Sequence, residues 1–119
     1  MRQVFAHDAV VTMDPHSDAA APGAAVTVAL CGAWEHEPPC PLAPHHTGSH
    51  RLGDQVRLRI LFAAEPDQAE EVRERIDEAL AVGAITRPTG GVTAWQLRES
   101  RASAPRFEEE EHGRRLLAS

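Results

Sequence analysis

The sequence predicts a small α+β fold: a mostly antiparallel sheet of about five strands with one amphipathic helix packed on one face. Three observations carry that prediction. Residues 56–62 alternate apolar and polar at a period of two, residues 69–80 repeat apolar positions at three and four, and Pro88-Thr89-Gly90-Gly91 separates two further strand-like stretches. Elements that each present one apolar side bury them by laying the helix across the sheet.

Taken in order, Ala9 to Met13 is short and β-branched and ends at Asp14-Pro15, where proline removes a backbone donor; it is predicted as an edge strand. Pro15 to Gly23 has loop composition. Ala25 to Cys31 then places Val26, Val28 and Leu30 at every second position, which predicts a strand with Thr27, Ala29 and Cys31 on its other side. From Gly32 to Gly53 no apolar period survives, and Pro38, Pro39, Pro41 and Pro44 interrupt the chain, so a long Cys/His/Pro-rich loop is expected. Structureless loops longer than about 12–15 residues are uncommon in compact domains and need something to hold them.

Val56, Leu58, Ile60 and Phe62 share one face of the next strand, with Arg57 and Arg59 on the other. The helix begins near Pro66-Asp67, where Asp67 and Glu70 have capping-box spacing. Ala69, Val72, Ile76, Ala79 and Leu80 form its apolar stripe, Glu71 with Arg75 and Arg73 with Asp77 form pairs on the wet face, and Gly83 stops it. Ala84 to Arg87 and Val92 to Arg98 predict a hairpin with Trp95 and Leu97 on its buried side. A single domain over 1–98 and a flexible acidic tail over 99–119, marked by the run Glu108 to Glu111, complete the expected organisation. Part of this order resembles a split β-α-β arrangement, but one helix leaves a ferredoxin-like double unit incomplete.

The chain has 119 residues, 42% apolar and 25% charged, enough for one hydrophobic core without a disulfide framework. Acidic residues outnumber basic ones 18 to 12, and every basic residue is arginine; lysine, tyrosine and asparagine are absent. Schiff-base and Walker-type lysine chemistry and tyrosine acid or radical chemistry are thereby excluded. No apolar run approaches the roughly 20 residues of a membrane span, and residues 1–8 lack the apolar centre of a secretory signal, so a cytoplasmic protein with no membrane partner is expected. Arg51, Arg57 and Arg59 form a basic stripe. The acidic total and the lack of an aromatic on that side argue for a solvated face paired with helix glutamates, and against a nucleic-acid partner.

The chemistry-bearing segment lies between residues 31 and 50, which hold both cysteines and four of the seven histidines: Cys31, His36, Cys40, His45, His46 and His50. Thiolate and imidazole are the donors zinc prefers, and four of them close a tetrahedral structural site. Cys31-x4-His36-x3-Cys40-x4-His45 supplies that number, with His46 as an alternative to His45 and His50 as a spare. A bound Zn2+, or another transition metal, would order the loop, because ligation contributes folding free energy. Glu35 and Glu37 flank His36 as candidate hydrogen-bond acceptors or general bases for metal-bound water, and Trp34 is placed to line a pocket or seal the ion.

The spacing lacks a Cys-x2-Cys knuckle. His36-Glu37-Pro38-Pro39-Cys40 fits neither a His-Glu-x-x-His helix, which the prolines forbid, nor the zinc-deaminase pattern, since Ala43 stands where a second cysteine is required. An all-cysteine iron–sulfur cluster needs more thiols than the chain has. His7, His16 and Asp18 supply the donor types of a two-His, one-carboxylate iron site. The leading expectation is a small metal-binding protein with a structural, sensing or metal-handling role. The alternatives are a metal-dependent enzyme with an open coordination position, and a metal-free interaction module with a protein partner or a second copy of itself.

Overall fold

A computed structural model describes residues 1–31 and 43–118. The elements are β1 (Gln3–Thr12), α1 (Ala21–Cys31), β2 (His45–Leu52), β3 (Gln55–Ala64), α2 (Ala69–Val82), β4 (Ala84–Thr86), β5 (Val92–Ala94), β6 (Gln96–Ser103) and α3 (Glu110–Leu117), with single 3-10 turns leading into α2 and α3. Four strands form an antiparallel sheet in the order β2-β3-β1-β6, and β4 and β5 pair separately. The α+β class is as predicted; the single helix and the single five-stranded sheet are not.

The main correction is α1. Ala25 to Cys31, predicted as a strand, is the body of a helix. Val26 and Leu30, four residues apart, are fully buried, whereas strand geometry would have placed Val28 equally deep. Six alanines from Ala19 to Ala29 and Pro22 in the first turn favour a helix, and the Asp18 carboxylate accepts from the Ala20 amide just before it. The stretch reads as uniformly apolar because α1 is enclosed by α2, β2 and β4. With this second helix the order becomes β-α-β-β-α-β, the complete ferredoxin-like double split unit, with the β4–β5 hairpin inserted before the last strand.

Two strands also differ from expectation. β1 runs for ten residues in the middle of the sheet instead of forming a short edge. β2 occupies the second half of the predicted loop, and Leu52 pairs with Gln55 across a two-residue turn whose first residue, Gly53, has φ of 64°. A glycine in the left-handed region followed by Asp54 is a tight-hairpin signature, so β2 is held by its partner and its turn without an apolar pattern.

The predicted features of β3 and α2 largely hold. Ala69, Val72, Ile76 and Leu80 are buried, and Gly83 ends α2 at φ of 77°, where an added Cβ would lie 2.7 Å from the Trp95 carbonyl oxygen. Trp95 pins the hairpin to α2: its backbone amide donates to Gly83 and its indole Nε1 to the Leu80 carbonyl at 2.9 Å. No side-chain cap forms at Asp67, and Arg73 turns inward while Glu71 and Arg75 keep their surface pair.

Residues 99–119, expected as a tail, carry the rest of β6 and α3. The two sheet faces are therefore covered differently. Ala9, Val11, Val56, Leu58, Ile60 and Phe62 face α1 and α2, while Ala6, Leu61 and Ala63 face Leu116 of α3. Gly113 lets α3 approach closely, since a Cβ there would sit 3.1 Å from Val4. Among the described residues no helix is long and apolar enough to cross a membrane.

Candidate functional site

Three groups of polar side chains emerge. The first is the Cys/His segment. His36 and Cys40, with Trp34, Glu35 and Glu37, lie outside the described residues. Cys31 is the last residue of α1, and His45 opens β2. Because successive strand residues point to opposite faces, His45 and His46 cannot serve one ion together. His45 faces α1, with Nε2 3.1 Å from Thr27 Oγ1 and Nδ1 3.3 Å from the Ala43 carbonyl oxygen. His46 lies on the other face, its ring 4.2 Å from that of His112 in α3. Burial, reinforced by His112 and Arg115, lowers the affinity of His46 for a proton. His50 is exposed on that second face. Among the described residues, no three His, Cys, Asp or Glu side chains converge as a metal site.

The second group surrounds His7, buried on the helix-covered face at 2% exposure. Arg73 Nη1 donates to the Ala6 carbonyl at 2.7 Å and lies 3.0 Å from His7 Nδ1, leaving the imidazole proton on Nε2. Nε2 faces Ser100 Oγ at 2.7 Å, and the Ser100 hydroxyl donates to Asp77. Serine, histidine and aspartate thus meet in the wrong order for nucleophilic catalysis. The imidazole nitrogen beside the hydroxyl already carries a proton and cannot accept another, and arginine occupies the place of an orienting carboxylate. Burial is the largest influence on His7 and keeps it below its ordinary pKa despite Asp77. The network ties β1, α2 and β6 together; it also commits His7 internally, while His16 sits in an exposed loop, so among the described residues His7, His16 and Asp18 do not converge as an iron site.

The third group is a groove on the second sheet face, beyond the part covered by α3. Strand pairing makes two cross-strand rows: His50, Arg57, Val10 and Glu99, then Gly48, Arg59, Asp8 and Arg101. Between Glu99 and Leu97, β6 carries one unpaired residue, Arg98, opposite the Val10–Val11 step. This bulge turns Arg98 toward the groove, where its Nε donates to Thr12 at 3.0 Å. Arg106, just before the 3-10 turn, completes the rim of a cavity of about 580 Å3.

Arg59 is the groove's fixed element. Its guanidinium donates to both Asp8 oxygens, both Glu109 oxygens, Ser103 Oγ and the Ala104 carbonyl, so its donors are fully engaged. The hydrogen bond from Arg59 is the largest influence holding the Glu109 carboxyl down to about 2. Burial would raise Asp8, but its bonds to Arg59 and Ser103 and the charges of Arg59 and Arg101 lower it overall. Arg59 is itself raised, first by Glu109. The expected pairing with helix glutamates is thus met at Arg59 by the turn before α3, not by α2. Arg51 faces the other side, donating to the Pro15 carbonyl, so the three-arginine stripe is not one surface.

No protein-family model, curated protein or solved structure matches the chain. Its chemistry therefore has to be read from its own side chains. Arg98, Arg101 and Arg106 were not legible as partners of Arg57, because the bulge shifts the strand alternation and the turn into α3 sets the position of Arg106. The only linear signal was the density of arginine between 98 and 106.

Proposed function

We propose that the chain is a small metal-binding protein, with Zn2+ the ion its donors favour, and with Cys31, His36, Cys40 and His45 as ligands in a structural, sensing or metal-handling role. One observation supports this selection. Thr27 contacts His45, and Cys31 follows Thr27 by one helical turn, about 6 Å along the axis, so the first and last donors lie at the adjoining ends of α1 and β2. A cation joining them would close the intervening loop at its base, where a cross-link removes the most chain entropy. The Ala43 carbonyl beside Nδ1 favours a proton there, so a metal would be ligated by Nε2 in exchange for its contact with the Thr27 hydroxyl. His46 and His50, on the other sheet face, are left out of the set. A cytoplasmic, reducing setting suits this role, since it keeps both thiols available as ligands.

Elemental analysis of tag-free protein tests the assignment. About one equivalent of metal is expected, lost in Cys31→Ala, Cys40→Ala and His45→Ala but kept in His46→Ala; acidification below about pH 6 should release it as imidazoles protonate. Substoichiometric metal indifferent to all four substitutions would exclude metal binding and leave the interaction-module alternative.

A further inference from the structure

We propose that the groove over β1, β3 and β6 is a binding site for a small oligophosphate, a molecule carrying two or more linked phosphates. The chain as a whole is acidic, at −6, yet this groove gathers Arg57, Arg59, Arg98, Arg101 and Arg106 against Asp8 and Glu99. Asp8 and Glu109 are both engaged by Arg59, which leaves Glu99 as the groove's remaining carboxylate. Arg57 has no hydrogen-bond or ion-pair partner among the described residues. The Arg101 guanidinium contributes only longer-range attraction to Asp8, and Arg106 bonds Glu109 through its backbone amide at 2.7 Å, its guanidinium adding only charge. Guanidinium groups held near one another without counter-charges repel, and a multivalent anion relieves that repulsion while using their forked donors bidentately.

Geometry narrows the ligand class. Arg57 and Arg101 stand on strands either side of β1 and two residues apart along them, about 12 Å apart at the backbone, so their side chains can grip the two ends of an extended anion. A cavity of about 580 Å3 is of small-molecule size. Among the described residues no Phe or Trp side chain lines it, His50 being its one ring, and α3 covers the rows at one end, which disfavours a nucleic-acid strand. Gly48 keeps the β2 side of the floor low beside Arg59. None of the Cys/His ligands proposed above takes part, so the two assignments stand or fall separately.

The test is calorimetric titration of the full chain with inorganic tripolyphosphate, after chelator treatment to remove any bridging metal. One-to-one binding is expected that weakens steeply with salt and is at least about tenfold weaker for inorganic monophosphate. Arg57→Gln and Arg101→Gln should each weaken it at least about tenfold, and lysine at either position should restore part. Both side chains are exposed, so these variants should keep the wild-type circular dichroism and melting midpoint. Arg75→Gln, on the exposed face of α2, should leave binding unchanged. Absence of binding, an equal loss in Arg75→Gln, or tighter binding of a single-stranded oligonucleotide than of tripolyphosphate would each overturn the proposal.

Discussion

The two faces of the sheet are built from alternate residues of the same strands, yet they serve different ends. On one, Phe62, Ile60, Leu58 and Val56 of β3 meet Val11 and Ala9 of β1 beneath two helices, and Phe62 stacks on Phe5 at 5.5 Å. On the other, α3 covers only the Ala6, Leu61 and Ala63 end, and the neighbouring positions are arginine and aspartate. A sheet that already has one closed face needs little further apolar burial. Its second face is then available for charge, provided that charge is anchored. Arg59 is the anchor, joining β3 to β1 through Asp8 and to the turn before α3 through Glu109.

The largest effect should come from emptying the closed face. Phe62→Ala is expected to cost about 3–5 kcal/mol in denaturant unfolding, because it deletes a fully buried ring and leaves a cavity. Where the variant remains folded, its tripolyphosphate affinity should match wild type; a parallel loss would show that the faces are not independent. Arg59→Gln should cost less, about 1–3 kcal/mol, since its side chain is partly solvated. That loss should appear first as faster amide exchange in α3, with the exchange of α2 little changed.

Acid should distinguish the faces in sequence. Glu109 titrates near 2 when folded against an ordinary 4.5, so its stabilisation is complete above about pH 4.5 and lost as pH falls toward 2. Unfolding curves between pH 6 and pH 2 should show this slope, and Glu109→Gln should flatten it. His7 behaves as a buried base. Its folded pKa lies below 6.5, so the neutral-state stability holds above pH 6.5 and declines as pH falls below that, where the unfolded chain takes up the proton first. Imidazole chemical shifts should show His7 still neutral just below pH 6.5, where an unburied model imidazole is mostly charged. A His7 that titrates normally would mean that the Arg73–His7–Ser100 network is open to water. This should be the smallest of the four effects.

Legibility in the sequence followed how locally each element is determined. The period-two run of β3, the stripe from Ala69 to Leu80, the stop at Gly83 and the turn at 88–91 each need only neighbouring residues, and each was readable. α1 was misread because a helix enclosed by α2, β2 and β4 shows no polar face, while its β-branched Val26 and Val28 mimic a strand. Pro22 in the first turn and the surrounding alanines were the contrary signal. β2 is polar on both faces, so Gly53-Asp54 was its only mark. Of the candidate metal ligands, the donor types and their crowding were plain in one dimension. The separation of His45 from His46 required knowing that both lie on a strand.

By itself, the sequence determined the α+β class, the amphipathic helix, the half-buried third strand and a supply of thiol, imidazole and guanidinium groups. Those follow from periodicity and composition, which act over a few residues. Tertiary structure alone decided that β1 is central, that α1 completes the double β-α-β unit, that Glu109 locks Arg59, and that a bulge at Arg98 brings five arginines into one groove. Such outcomes depend on strand register and on contacts between residues far apart in the chain, 86 positions for Arg98 and Thr12, and a one-residue shift in pairing exchanges the two faces.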